Sequence, residues 1–246
     1  MKLKIVASSS KGNFYILESN QHKLLLECGI NIREIKKTLK FDFKNIDGCI
    51  LTHEHGDHSK SAKEIMNLGI DLYTSKGTAE ALKLNHHRLN KVSDLIPFEL
   101  ETFRIIPFET QHDAKEPLGY LIQEKATGEI LLFATDTYYI KYKFPGINYI
   151  MVECNYIKGI LQDNIDKGLI PKAMYKRLLN SHFELDNVKE FLKASDLRET
   201  TKIILLHLSD GNSDARKMVK EIEDLTQIET IAADKDIDVD LRMCPF

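Results

Sequence analysis

The sequence predicts an α/β fold in which two mixed sheets carry helices on their outer faces. Along most of the 246 residues, short apolar runs with strand composition alternate with segments whose apolar residues recur at helical spacing. A chain of this length buries one sizeable core, and no internal repeat or Pro/Gly/Ser linker divides it. We therefore expect a single domain over residues 1–246, arranged as a four-layer αβ/βα sandwich.

The first half of the chain begins with strands and then alternates strands with helices. The Ser/Gly-rich turn 8–12 separates the first two strands and indicates a hairpin, so we expect this sheet to begin antiparallel. Ile32, Ile35 and Leu39 recur at helical spacing. The pattern predicts strands at 3–7, 13–18, 23–28, 47–52 and 71–74, and helices at 32–39, 62–68 and 77–84.

The second half alternates in the same way around one segment of different composition. Strands are predicted at 100–107, 118–123, 129–135, 149–153, 202–208 and 230–233, and helices at 186–194 and 213–226. We expect Asp186 to cap the first of these helices. Residues 156–180, rich in Lys, Asp and Leu, predict a helical insertion. It is either a lid or dimer contact beside the cleft, or a solvated insertion.

Charge and composition restrict the possible function classes. The net charge of −3 does not support a broad non-specific nucleic-acid surface, and it agrees with a small anionic ligand held by specific groups. No stretch approaches the ~20 apolar residues of a membrane helix, and the N-terminus has no signal-peptide core. We expect a cytoplasmic protein without membrane contact.

The cysteines do not indicate a metal site or a disulfide framework. Cys28, Cys49, Cys154 and Cys244 include no pair at C-x-x-C spacing. Cys28 and Cys49 lie in or beside apolar runs, so we interpret them as small core residues.

The segment Thr-His-Glu-His-Gly-Asp-His at 52–58 carries the strongest chemical signal. It places three imidazoles and two carboxylates directly after an apolar strand, and both groups are ligands for zinc, manganese or iron. We expect a tight turn at Gly56 to direct ligands from both sides of the loop into one cavity. The competing interpretation is a surface loop that is polar by chance, and metal binding explains the spacing better.

The pattern His-x-His-x-Asp-His after an apolar strand resembles the signature of the metallo-β-lactamase superfamily, and the resemblance covers nearly the whole chain. It implies two divalent ions, zinc or manganese, that lie ~3.5–4 Å apart and activate water for attack at phosphorus. The later ligands follow in that family's order. By this match, His53, His55 and His112 hold one ion, Asp57, His58 and His207 hold the other, and Asp136 is shared.

Glu153 and His182 resemble the Glu–His pair of the phosphodiesterase branch, which includes RNase Z. By that resemblance the carboxylate orients the imidazole, and the imidazolium protonates the leaving oxygen. Asp57 is the third residue with an expected catalytic role, in addition to its role as a ligand. The competing interpretation of His182 is a histidine near the start of the helix at 186–194.

Within this branch the chain resembles the YycJ/WalJ-type proteins and their phage relatives. The matching segments are 8–13, 26–29, 152–155 and 206–212. The phage members include anti-Pycsar phosphodiesterases, which open cyclic mononucleotides and counter host immune signalling, and the resemblance implies a homodimer. Glu27 departs from the usual aspartate before Cys-Gly, and the Gly/Pro-rich arm with which RNase Z grips tRNA is not evident.

The expected function is a metal-dependent phosphodiesterase that hydrolyses cyclic mononucleotides to linear nucleoside monophosphates, in the host cytoplasm if phage-encoded. The first alternative is a YycJ/WalJ-like nuclease on DNA or RNA, which would need a basic surface track. Hydrolysis of a thioester, lactone or β-lactam has no need of the Glu–His pair, and the complete ligand set argues against a metal-free binding protein. Candidates for stacking on a base are Phe14, Tyr138, Tyr139 and Tyr156, and core packing, the commoner role of aromatic residues, is the competing interpretation.

Overall fold

The computed structural model describes residues 1–171, 175 and 178–241. The strands within these residues are β1 (Lys2–Ser9), β2 (Gly12–Ser19), β3 (His22–Leu26), β4 (Ile46–Ile50), β5 (Leu72–Ser75), β6 (Leu89–Val92), β7 (Phe98–Glu99), β8 (Phe103–Glu109), β9 (Leu118–Glu124), β10 (Ile130–Ala134), β11 (Tyr149–Glu153), β12 (Lys202–Leu206), β13 (Glu229–Ala232) and β14 (Ile237–Asp240). They form two seven-stranded sheets, in the orders β14-β1-β2-β3-β4-β5-β6 and β13-β12-β11-β10-β9-β8-β7. Both sheets contain parallel and antiparallel pairs, which confirms the predicted α/β class with two mixed sheets.

The helices whose bounds fall within the described residues are α1 (Ile32–Thr38), α2 (Gly56–Ser59), α3 (Ala62–Asn67), α4 (Lys76–Ala81), α5 (Lys158–Asp166), α6 (Leu185–Ala194) and α7 (Ala215–Thr226). Among the described residues, no helix has the length and apolar character that crossing a bilayer requires.

The chain divides into two compact units. Unit 1 comprises residues 1–109, residues 114–129 and the C-terminal residues from Asp234. Unit 2 comprises residues 110–113 and 130–233. The single-domain organisation stays a prediction.

In unit 1 the sheet changes from antiparallel to parallel pairing at β3. β1, β2 and β3 pair antiparallel, as the hairpin prediction required, and β3 to β6 pair parallel. The carboxyl ends of parallel strands meet at one edge of a sheet, so the residues after β3 and β4 are neighbours there. Backbone hydrogen bonds from Glu27 N to Ile50 O (2.9 Å) and from Cys28 N to His58 O (2.8 Å) fix this edge.

The core of unit 1 lies between this sheet and the helices α1 and α3. Ile35 and Ile65 supply the buried faces of the two helices, and Phe14 packs in the same cluster. Cys28 and Cys49 belong to it with no exposed surface and are free thiols, which confirms their interpretation as small core residues. Cys244 lies outside the described residues.

In unit 2 the strands β10, β11, β12 and β13 run parallel, and nearly every residue of the first three is buried. Such continuous apolar runs are typical of a parallel sheet covered on both faces. Asp136, Glu153 and His207 stand at the carboxyl ends of β10, β11 and β12. The parallel pairing therefore brings three polar side chains, far apart in sequence, to one edge.

The predicted insertion over 156–180 begins with α5, which packs through Leu161 and Ile165 against Tyr156. Its residues 172–174, 176 and 177 lie outside the described residues. The roles as lid or dimer contact stay predictions.

Two predictions about where a helix and a strand begin were wrong for identifiable reasons. Glu184, not Asp186, is the N-cap of α6, because its carboxylate accepts a hydrogen bond from Asp186 N at 2.7 Å. Residues 100–102 form the turn between β7 and β8, closed by Leu100 N to Phe103 O at 2.8 Å, so the strand expected at 100–107 starts later. No strand was predicted at β6, β7 or β14, which form because neighbouring strands pair with them.

Gly119 offers a test of how tightly the β8–β9 pair is packed. It lies opposite Phe108, and a Cβ at this position would overlap the Phe108 ring. We expect Gly119→Ala to lower the free energy of unfolding by about 1–3 kcal/mol, the usual cost of overpacking a core. Urea unfolding followed by circular dichroism measures the change.

Gly159→Ala is the matched control, because nothing lies within 4 Å of a Cβ at this helical position. Alanine there should leave stability equal or slightly higher. An unfolding midpoint of Gly119→Ala equal to that of the wild type would contradict the packing argument.

Candidate metal centre

The loop after β4 brings the three histidines of the motif together in unit 1. The ring centroid of His53 lies 4.7 Å from that of His55 and 4.2 Å from that of His58. A hydrogen bond from His58 N to His55 O at 3.0 Å closes a tight turn that contains Gly56, as predicted, and the one-turn helix α2 begins at Gly56. Asp57 and His58 are consecutive residues of α2, and Asp57 Oδ2 lies 3.5 Å from His58 Nε2.

Buried polar groups on neighbouring strands hold His58. Glu27 Oε2 lies 3.6 Å from His58 Nδ1, and Asn13 Nδ2 lies 3.1 Å from His58 Nε2 and 3.2 Å from the backbone oxygen of Asp57. Burial raises the pKa of Glu27, and the neighbouring His58 offsets part of that rise. Asn13 and Glu27 lie in the segments 8–13 and 26–29, which resemble the YycJ/WalJ-type proteins. Their positions in the sequence did not predict a contact with His58.

The two remaining polar residues of the motif make different contacts. Thr52 Oγ1 lies 2.9 Å from His53 Nδ1, which orients that ring. Glu54 accepts hydrogen bonds from Lys115 N at 2.7 Å and from Thr78 Oγ1 at 3.4 Å. The Glu54 carboxylate therefore stabilises the loop through these hydrogen bonds. The Asp57 carboxylate, in contrast, lies beside the His58 imidazole.

Unit 2 holds a second set of imidazole and carboxylate groups. Asp136 Oδ1 lies 3.4 Å from His207 Nδ1, and Asp136 Oδ2 lies 3.7 Å from His112 Nε2. One side-chain nitrogen or oxygen from each of Asp136, Glu153, His182 and His207 lies within 4.8 Å of the others. Asp136 and His207 both have left-handed backbone conformations, with φ of +46° and +53°. Such conformations in non-glycine residues concentrate at functional sites.

Glu153 joins the catalytic pair expected from the sequence to this set. Its Oε1 lies 2.6 Å from His182 Nδ1 and 3.2 Å from His207 Nδ1. Its Oε2 accepts backbone hydrogen bonds from Thr137 N at 2.9 Å and Phe183 N at 3.1 Å. The carboxylate has no exposed surface, whereas the His182 side chain is 17% exposed.

The pair shifts the titration of both partners. Burial alone would lower the pKa of His182, but the Glu153 carboxylate outweighs it and raises that pKa above its ordinary value. Burial alone would raise the pKa of Glu153, and the charge and hydrogen bond of His182 bring it below its ordinary value. The geometry therefore favours an imidazolium facing a carboxylate.

His112 has the opposite character. Its Nδ1 lies 2.7 Å from the backbone oxygen of Ser181. A carbonyl only accepts hydrogen bonds, so Nδ1 carries the proton and Nε2 keeps its lone pair. Burial lowers the pKa of His112 despite the neighbouring carboxylates. A neutral imidazole with a lone pair on Nε2 is the form that binds metals.

The structure therefore groups the expected site residues within each unit. His53, His55, Asp57 and His58 belong to unit 1, and His112, Asp136, Glu153, His182 and His207 belong to unit 2. Both sets consist of imidazole and carboxylate donors, which suit divalent zinc, manganese or iron.

The four aromatic residues expected as candidates for base stacking differ in exposure. Phe14 and Tyr156 are core residues, 0% and 1% exposed, so burial removes them from the candidates. Tyr138 is half-buried and Tyr139 is 56% exposed.

Comparison with known proteins agrees with this description. The Beta-lactamase superfamily domain matches residues 22–208. The chain is 30% identical to the exodeoxyribonuclease WalJ of Streptococcus pneumoniae, over 98% of this chain and 93% of that protein. It is 25% identical to the exodeoxyribonuclease YycJ of Bacillus anthracis, over 87% of this chain and 84% of that protein.

Solved structures show the same fold at lower identity. The metallo-β-lactamase fold protein YhfI from Bacillus subtilis superimposes with a TM-score of 0.71 at 15% identity, over 97% of this chain and 99% of that one. A fold of two mixed sheets, a family match over most of the chain and a relative at 30% identity lead to one conclusion. The chain belongs to the beta-lactamase superfamily and is a metallo-β-lactamase-fold hydrolase.

Proposed function

We propose that the chain is a metal-dependent phosphodiesterase that cleaves DNA from its ends. The observation that carries the proposal is the Glu153–His182 pair. The buried Glu153 carboxylate contacts the partly exposed His182 imidazole, with 2.6 Å between Oε1 and Nδ1. Cleavage of a phosphodiester needs a proton for the leaving oxygen, and an imidazolium stabilised in this way supplies one. Hydrolysis of a lactone, thioester or β-lactam has no need of the pair.

The proposal includes a binuclear centre of divalent ions, zinc or manganese. The imidazole and carboxylate donors of both units fit such ions. When bound, the ions supply activated water and positive charge opposite the phosphate oxygens. We propose as ligands His53, His55, Asp57, His58, His112, Asp136 and His207.

His182 then acts on the leaving group. Its Nδ1 is engaged by Glu153 Oε1, so Nε2 is the ring nitrogen that remains for proton donation. Glu153 also contacts His207 Nδ1, at 3.2 Å. One carboxylate therefore orients a proton donor and a metal-binding imidazole together. Asp57 is proposed both as a ligand and as a catalytic residue, as the sequence suggested.

The substrate class rests on the relatives. WalJ and YycJ are named exodeoxyribonucleases, and this chain aligns with 93% and 84% of their lengths. An alignment of that extent leaves little of either relative outside the shared region. We therefore place DNA ahead of the cyclic mononucleotides that were first expected.

Cyclic mononucleotides remain the second candidate. The net charge of −3 favours a small substrate over a long polyanion, and the same Glu–His pair would protonate the oxygen that leaves when the ring opens. The homodimer and the phage role against Pycsar signalling stay predictions.

A substrate panel tests the proposal. With Mn²⁺ or Zn²⁺ present, we expect the wild type to release mononucleotides from single- and double-stranded oligonucleotides, and the chelated protein to release none. Asp136→Ala should lose about a hundredfold or more in activity and lower the metal content measured by mass spectrometry, because one of the proposed metal ligands is removed. Asp163→Ala, an exposed carboxylate in α5, is the control and should retain both.

Turnover of 3′,5′-cyclic mononucleotides with no cleavage of DNA would contradict the DNA proposal and establish the second candidate. Inactivity on both substrate classes with two bound ions would reject both.

A leaving-group test isolates the role of His182. We expect His182→Ala to lower DNA cleavage by about 10²- to 10⁴-fold, the range for loss of a general acid. Hydrolysis of bis(4-nitrophenyl) phosphate should change far less, because nitrophenolate leaves without a proton. Steady-state rates on the two substrates give the comparison.

Glu153→Gln should show the same selectivity in weaker form, and the exposed His87→Ala should show no loss on either substrate. Equal losses on DNA and on the nitrophenyl ester in His182→Ala would show that His182 does not protonate the leaving group.

A further inference from the structure

A cavity of about 410 Å³ lies in unit 2, between the segment that follows β10 and the helix α6. Its lining includes five aromatic residues, Tyr138, Tyr139, Tyr142, Phe183 and Phe191. Volumes of this size accommodate drug-sized ligands, and aromatic walls suit a flat ring system. The candidate metal ligands are not part of this lining.

The cavity walls are tied to the catalytic pair by hydrogen bonds. Glu153 Oε2 accepts from Thr137 N at 2.9 Å, and Thr137 Oγ1 donates to the backbone oxygen of Tyr139 at 2.9 Å. The same Oε2 accepts from Phe183 N at 3.1 Å, and Phe183 directly follows His182. The carboxylate that orients the proton donor therefore also fixes the backbone of two opposite walls.

The charged residues of the lining indicate which kind of ligand the cavity binds. Lys141 and Lys143 line the cavity and are exposed. Glu190, the acidic residue of the lining, is paired with Lys193 at 2.8 Å. Aromatic rings beside exposed lysines are the combination with which proteins hold single-stranded nucleic acid, since bases stack on rings and phosphates contact lysines.

We propose that this cavity is a subsite for an unpaired base of the DNA strand, next to the phosphodiester that the enzyme cleaves. The inference rests on the proposed nuclease function and gives that function its substrate-positioning residue. Tyr139, 56% exposed at the cavity, is the ring on which the base stacks. Lys141 and Lys143 receive the strand's phosphates at the rim.

The test combines a variant of the protein with a variant of the substrate. Single-stranded oligonucleotides carrying one abasic residue, moved stepwise from the cleaved end, are compared for the wild type and Tyr139→Ala. On intact DNA we expect Tyr139→Ala to raise KM about 5- to 100-fold, as the loss of one base–aromatic stack does, with a smaller change in kcat. At one position the abasic residue should raise the wild-type KM similarly and leave that of Tyr139→Ala unchanged.

Two further variants separate stacking from a general disturbance. Tyr139→Trp should keep the wild-type KM and its sensitivity to the abasic position, because indole also stacks. Phe41→Ala removes another exposed aromatic ring, 66% exposed in unit 1, and should change neither. Equal sensitivity of the wild type and Tyr139→Ala to every abasic position would overturn the subsite while leaving the nuclease function intact.

If the wild type cleaves no oligonucleotide, the proposed function is wrong, but a binding measurement still tests the subsite. Fluorescence anisotropy of labelled oligonucleotides then replaces KM in the same comparison. Weaker binding by Tyr139→Ala that disappears with the abasic substrate supports the subsite, and indistinguishable affinities overturn it.

Discussion

The carboxylate of Glu153 is fully buried and contacts four groups, the imidazoles of His182 and His207 and the backbone amides of Thr137 and Phe183. Taking an ionised carboxylate out of water costs several kcal/mol, and these donors offset that cost. Because the group sits at the end of a central strand, it joins the segments that follow β10 and precede α6. The proposed proton donor, the proposed metal-binding imidazole and the backbone of the cavity walls therefore all contact one carboxylate.

Parts of this architecture were readable from the sequence because the signals are local. The alternating runs gave the main strands of both sheets, and the segment 52–58 gave its cluster of imidazoles and carboxylates. The later ligand candidates needed the family's motif order as well. Asp136 and His207 stand at predicted strand ends, where parallel pairing brings polar side chains together, whereas His112 follows the antiparallel strand β8.

The features that could not be predicted from the sequence depend on contacts between residues that are far apart in the chain. Asn13 and Glu27 meet His58 only after the strands β2 and β3 have paired. Strands such as β14 have ordinary composition and exist through their partners. The cavity is assembled from residues 138–143 and 183–195, two segments that share no pattern along the chain. Substrate choice depends on surfaces assembled in this way, which short motifs along the chain do not describe.

The left-handed backbone conformations of Asp136 and His207 lower the stability of the fold, while the side chains at these positions belong to the candidate metal centre. Residues with side chains hold such φ values at a cost of about 1–3 kcal/mol, and glycine adopts them freely. Selection for thermal stability alone would therefore admit glycine at both positions and so erase two side chains of the candidate centre. In related proteins that no longer need the activity, these two positions should change to glycine. The residues found there therefore indicate whether the activity is still under selection.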